Sequence, residues 1–213
     1  EGYQPGLSFH VGSQCRTPDA FRDAIATVGE IAEKANTPLQ YLDVGGGFPS
    51  HYVDDQPPEF IEFVEAIKDS LSKIKLRGDC VLMCEPGRGL VASGCSLLTQ
   101  VHLRKDNSLY INDGIYHSLS ETISGKVKYP VRAHRLESEL SEATQPYTIY
   151  GPTCDSLDIL PYTIDLPEDI DEGDWIEFGQ IGAYSSSLTT KFNGFLPETF
   201  VTVDEPSLKV ETD

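Results

Sequence analysis

Over the first ninety residues, short apolar runs alternate with amphipathic stretches, and each run ends in glycine or an acid. Residues 7–11 read as a buried strand closed by Gly12. Thr17 and Pro18 then open a helix as cap and first-turn residue. Its apolar face is Phe21, Ala24, Ile25, Val28, Ile31, Ala32 and Ala35, close to a helical period. Residues 41–44 form a second strand running into Gly45-Gly46-Gly47. Beyond Pro57-Pro58, the residues Phe60, Phe63, Val64, Ile67, Leu71 and Ile74 mark a second amphipathic helix. Residues 81–84 are a third, buried strand, and Glu85 follows it. This alternation predicts a parallel sheet flanked by helices, with chemistry at the residues just past each strand. Three such units cannot close an eight-unit barrel, and an open fragment leaves strand edges uncovered. The expectation is therefore the C-terminal part of a larger protein; the chain begins Glu1-Gly2-Tyr3, without Met.

The rhythm changes near residue 90. Residues 96–103, 108–112, 127–134, 147–150 and 174–178 read as short strands separated by turns. No long amphipathic helix interrupts them, which predicts an all-β second domain. Residues 166–174 read as an acidic turn, and the polar tail 205–213 as a frayed end. The division expected is 1–90 and 91–213.

Composition narrows the function. A net charge of −18 disfavours nucleic acid, whose phosphates require clustered Lys and Arg, and is compatible with a cationic substrate. It is equally the signature of an acidic, solvated surface. The apolar runs are too short to span a bilayer. Five cysteines, Cys15, Cys80, Cys84, Cys95 and Cys154, form no C-x-x-C pair and are odd in number. That pattern favours a reduced, cytoplasmic protein over a disulfide framework, and no metal site is expected.

Five motifs carry the chemistry: His10-Val11-Gly12-Ser13, Gly45-Gly46-Gly47-Phe48-Pro49, Glu85-Pro86-Gly87-Arg88, Gly151-Pro152-Thr153-Cys154-Asp155 and Gly182-Ala183-Tyr184. Taken singly, a glycine triplet marks a tight turn, a strand histidine a core residue and a loop cysteine nothing more. In this order, together with Phe192-Asn193-Gly194-Phe195, they resemble the fold-type III pyridoxal-phosphate decarboxylases, most closely the ornithine/lysine branch. The resemblance implies the C-terminal part of an alanine-racemase-like (β/α)8 barrel, then a β-sandwich or barrel-like domain: α/β plus all-β. Residues 1–90 would be a partial cofactor-binding barrel and 91–213 the C-terminal β domain.

The same resemblance implies roles. Glu85 holds the cofactor's pyridine nitrogen protonated, and His10 stacks on its ring. Ser13, Gly45, Gly46, Gly47, Gly87, Arg88 and Tyr184 hold its phosphate end, through amides, hydroxyls and a guanidinium fork. Cys154 governs the proton returned after carbon dioxide leaves. Asp155 binds the substrate's distal ammonium, with Tyr116 and Ser124 nearby and Asp113 in the same family segment. Phe192 belongs to the interface of a homodimer whose subunits share active sites. The implied reaction converts ornithine or lysine to putrescine or cadaverine, in polyamine biosynthesis.

Two departures stand out. Family members carry the cofactor on a lysine within a Tyr-Ala-Val-Lys-type strand motif, and no such motif occurs here. That implies partnership with an N-terminal remainder of the same protein. Ornithine-specific relatives also place an acid where this chain has Ser124-Gly125, although Glu121 lies about a helical turn away. Two alternatives stay open: an inactive homologue acting as a binding or regulatory protein, and diaminopimelate decarboxylase. The complete cofactor set weighs against the first, and Asp155 with Phe192–Phe195 against the second.

Overall fold

The computed structural model describes residues 2–210, which form two compact units. The first takes the residues up to 51 together with 55–90; the second takes 52–54 and the residues from 91 onward. The segment 52–54 belongs to the second unit because Tyr52 packs edge-on to Tyr129 and the Val53 amide donates to the Lys128 carbonyl. A stretch that lies amid the first unit in sequence is thus part of the second unit's core.

The first unit contains β1 (Gly6–Ser8), α1 (Asp19–Ala35), β2 (Tyr41–Asp43), α2 (Phe60–Leu71) and β3 (Val81–Met83), followed by the short α3 (Gly87–Val91). The three strands are parallel, in the order β1-β2-β3, with Leu7, Leu42 and Leu82 in register. The Thr17 hydroxyl accepts the Asp19 amide at 3.3 Å where α1 starts, and Asn36 ends the helix in the left-handed region. A capping box of Glu59 and Glu62 opens α2. Phe21, Ile25 and Val28 of α1 meet Phe63 and Ile67 of α2 in one buried cluster. Phe48 joins them, its ring centroid 4.9 Å from that of Phe21, so the residue just past the glycine triplet anchors that turn to the helices.

Two expectations need correction here. Ile31 is 46% exposed, because the buried stripe of α1 ends at Val28. The third strand is not buried: Val81, Leu82 and Met83 are 46%, 47% and 44% exposed. Among the described residues β3 pairs on one side only, the uncovered edge expected where three units leave a barrel open.

The second unit is a six-stranded sheet of β4 (Leu97–Lys105), β5 (Ser108–Ile111), β6 (Val131–His134), β7 (Thr144–Tyr150), β8 (Ile164–Pro167) and β9 (Trp175–Phe178). Its order is β6-β9-β4-β5-β7-β8, and the end strands β6 and β8 approach each other, so the sheet nearly closes. All pairings are antiparallel except β5 with β7. Alternate residues point inward: Leu109 and Ile111, Tyr147 and Ile149, Ile176 and Phe178 are all buried. A one-turn helix, α4 (Glu121–Ser124), lies between β5 and β6.

Within this unit, Leu166 and Pro167, expected in an acidic turn, instead end β8, where Leu166 pairs with Gln145 and is buried. The tail up to residue 210 is docked rather than frayed. Ser207 Oγ lies 2.9 Å from Ser96 Oγ, and the Val210 amide donates to Gln180 Oε1 at 2.9 Å. The last expected tail residues, 211–213, lie outside the described residues.

Candidate active site

In the first unit the motifs meet at the C-terminal ends of three adjacent parallel strands. Backbone bonds continue past each strand: the Phe9 amide donates to Asp43 O, Val44 N to Met83 O at 2.9 Å, and Glu85 N to Gly45 O at 2.8 Å. His10, Gly45–Gly47 and Glu85 are thereby neighbours. Gly45 and Gly47 take φ of +67° and +103°, and a Cβ at Gly45 would overlap the Phe9 carbonyl. A Cβ at Gly46 would stand 2.8 Å from Glu85 O and 3.1 Å from the His10 ring. The triplet is thus required first by close backbone approach, and that approach brings His10 and Glu85 close to Gly46. The Gly45 amide is taken by Asp43 Oδ1 at 2.8 Å, and Gly47 O accepts the Cys15 amide at 2.9 Å. Among the described residues, the amides of Gly46 and Gly47 donate to no other group.

His10, Ser13 and Glu85 are exposed at this end, while Gly87 starts α3 and donates to Glu85 O at 2.8 Å. Arg88, in the same short helix, is buried at 7% exposure. Gln14, next to Ser13, adopts φ of +54° and clamps Ser50 in both directions: Nε2 donates to Ser50 O, and Ser50 N donates to Oε1 at 3.1 Å. Lysines of this unit, Lys34, Lys68, Lys73 and Lys75, lie on α1, α2 and the run toward β3, none at a strand end.

The second unit brings Tyr116, Cys154, Asp155 and Phe192 into one cluster. Tyr116 Oη donates to Asp155 Oδ2 at 2.7 Å, and the Leu157 amide donates to Asp155 Oδ1 at 2.9 Å. The Leu157 amide and then the Tyr116 hydroxyl hold the Asp155 carboxyl below its usual range, whereas the bond to Asp155 pushes the Tyr116 phenol up. The Tyr116 ring lies 4.7 Å from the Phe192 ring, centroid to centroid. Cys154 is exposed, and Asn193 Nδ2 donates to its sulfur at 3.2 Å. Both Thr190 N and its hydroxyl donate to Tyr116 O, at 3.1 and 2.8 Å, tying the Phe192 segment to the Tyr116 segment. A fixed anion, an accessible thiol and two aromatic faces can receive a cationic, partly apolar molecule and exchange a proton with it.

Four further expected residues stand elsewhere. Ser124 ends α4, exposed, and its hydroxyl donates to Ser120 O at 3.3 Å; among the described residues it makes no bond to the cluster. Glu121 is buried, with its carboxyl beside Gly125 of its own turn. Tyr184 is a half-exposed aromatic at φ of +56°, a backbone region that bulky residues rarely enter. Asp113 is buried, accepting Gly114 N, Ser118 N and Ser118 Oγ, and burial pushes its carboxyl up. Sequence reasoning missed Asn193 and Asp158 as members of this neighbourhood. Asn193 lay inside a quoted motif, and Asp158 repeats an acid three positions after Asp155, the only signals available. All five cysteines are free, and no metal-binding cluster occurs among the described residues. No helix among them is long and apolar enough to cross a membrane.

Comparison with known proteins agrees with both halves. Residues 5–92 match the family model of the pyridoxal-dependent decarboxylase pyridoxal binding domain, and residues 51–182 that of the C-terminal sheet domain. The chain is 32% identical over 214 residues to a probable ornithine decarboxylase of Dictyostelium discoideum, covering 90% of this chain and 44% of that one. It is also 32% identical over 210 residues to antizyme inhibitor 2 of Xenopus laevis, covering 89% and 45%. The crystal structure of lysine/ornithine decarboxylase from Vibrio vulnificus, complexed with cadaverine, superposes with a TM-score of 0.79 at 33% identity, over 94% of this chain and 55% of that one. The chain spans about half the length of the curated relatives it matches. Its fold is that of the fold-type III enzymes, α/β barrel elements followed by a β-sheet domain. The chain therefore belongs to the pyridoxal-dependent decarboxylases, whose cofactor is pyridoxal phosphate.

Proposed function

We propose that these residues act in decarboxylating a basic L-amino acid, ornithine or lysine, to its diamine. The observation that carries the reading is the second unit's cluster: Asp155, held as an anion by Leu157 and Tyr116, directly follows an exposed Cys154. Asp155 would pair with the substrate's distal ammonium, and the Cys154 thiol would deliver the proton that replaces the departing carboxylate. Tyr116 and Phe192 would line the substrate's methylene chain. One family member similar in structure is an enzyme named for both lysine and ornithine. Absence of an acid at Ser124-Gly125 supports a site in which Asp155 meets the terminal amine.

The donor set of the first unit fits pyridoxal phosphate. Amides of Gly46 and Gly47, uncommitted among the described residues, lie beside the exposed His10 and Glu85 at one sheet end. Gly45–Gly47, Ser13, Gly87 and Arg88 would hold the phosphate. Glu85 would keep the pyridine nitrogen protonated, and His10 would cover the ring face. When bound, the cofactor supplies an electron sink for the pair left as carbon dioxide departs. The lysine that carries it would come from outside these residues, from an N-terminal remainder of the same protein, and the working assembly would be a cytoplasmic homodimer with shared active sites.

The 32% identity to antizyme inhibitor 2 favours one second reading, a homologue that binds and regulates without catalysis. Retention of Glu85, Arg88, the glycine triplet, Cys154 and Asp155 supports catalysis instead. The deciding experiment supplies the full-length protein with pyridoxal phosphate and carboxyl-labelled L-lysine, L-ornithine or L-arginine. We expect labelled carbon dioxide and one equivalent of amine product from lysine or ornithine, with turnover cut by about 100-fold or more in Cys154→Ala. No release from any of the three substrates would assign the chain to the regulatory reading.

A further inference from the structure

We propose that Asp158 is the positioning residue that ties Tyr116, Cys154 and Asp155 into one constellation, a role that rests on the function proposed above. Asp158 is 2% exposed, and a carboxylate so placed needs donors. It has three: Ile115 N at 3.0 Å on Oδ1, and Thr153 N at 3.1 Å and Thr153 Oγ1 at 2.7 Å on Oδ2. Each backbone donor immediately precedes a residue of the cluster, Ile115 before Tyr116 and Thr153 before Cys154. The main chain of Asp158 adds two bonds to the same segment, its amide to Asp155 O at 3.0 Å and its carbonyl from Gly151 N at 2.8 Å. One residue therefore binds both turns, and the Tyr116–Asp155 bond joins them a second time.

The glycines give independent support. Neither Gly114 nor Gly151 has a positive φ, so backbone conformation does not demand glycine at either place. A Cβ at either would overlap the Asp158 carboxylate. Both positions are kept free of a side chain so that this carboxylate can lie between the two turns.

The test compares Asp158→Asn and Thr153→Val with the unaltered full-length protein. Asn preserves shape but presents an amide where a carboxylate oxygen accepted; Val removes one hydroxyl donor. In Asp158→Asn, hydrogen exchange at the Ile115 and Thr153 amides should rise about tenfold or more while Val101 in β4 is unchanged. KM for the basic amino acid should rise about tenfold or more and kcat should fall, because Asp155 and Cys154 both lose their settings. Thr153→Val should move each quantity in the same direction by less. Unchanged exchange overturns the proposal, and so does raised exchange with unaltered kcat and KM, which would make Asp158 purely structural. If the unaltered protein decarboxylates no basic amino acid, the proposed function fails separately, and the exchange rates alone uphold or overturn the tie.

Discussion

Single residues in this chain divide by whether their neighbours or their backbone dictate them. Gly45 answers to both: φ is +67°, and a Cβ would strike the Phe9 carbonyl. Gly12 has φ of +100° with open space around any added Cβ. Gly12→Ala should therefore cost only backbone strain, about 1–3 kcal/mol, whereas Gly45→Ala should cost more and part the ends of β1 and β2. Chemical denaturation of the two variants checks the order. Asp113 offers a second residue-scale prediction. Burial raises its folded pKa above the unfolded carboxylate value of about 3.9, so the folded state binds the extra proton in between. Its contribution to stability should fall as pH rises through that window and then level off. Urea unfolding of the unaltered chain against Asp113→Asn from about pH 3 upward should show their difference shrinking in that direction. The glycine triplet, His10, Glu85, Cys154 and Asp155 were all legible as motifs, because each stands in a short run of unusual residue types. Asp158 was not, because an acid in a loop declares its burial only once Gly114 and Gly151 are folded around it.

Among the elements, the two long helices were legible nearly whole, the short ones not at all, and the strands only in outline. A helix buries one face of its own sequence, so the periodicity of α1 and α2 located them within a few residues. Strand β8 escaped because Pro167 and the acids beside it resemble a turn; its pairing with Thr144–Tyr147 is what makes it a strand. Leu109 of β5 is fully buried in the second unit's core, and Leu109→Ala should cost about 2–5 kcal/mol, readable in a denaturant melt. The corner beyond β6 is held by Arg135, whose guanidinium donates to both oxygens of Asp174 at 2.8 and 2.7 Å and to Asp169. Arg135→Met strands the buried Asp174 and should lower the melting temperature. The Ser141 amide first, then Arg135, depresses the Asp169 carboxyl. That contribution is present above about pH 3.9 and is lost as pH falls through the depressed value, so the variant should differ from the unaltered chain least in strong acid.

For the molecule as a whole, charge and exposure pull in opposite directions. The net charge of −18 opposes self-association, yet β3 presents Val81, Leu82 and Met83 half-exposed on a strand that, among the described residues, is paired on one side only. Leu82→Lys should reduce association of the 213-residue chain in light scattering, most clearly at high salt, where the charge is screened. Local sequence by itself determined the succession of elements near residue 90, the helical faces and the five motifs, because each depends on spacing between near neighbours. Only the tertiary structure decided that 52–54 joins the second unit, that the tail docks to residue 210, and that Asp158 binds two turns together. Those outcomes turn on hydrogen bonds and burial between residues far apart in the chain, and such pairings leave no period in the sequence.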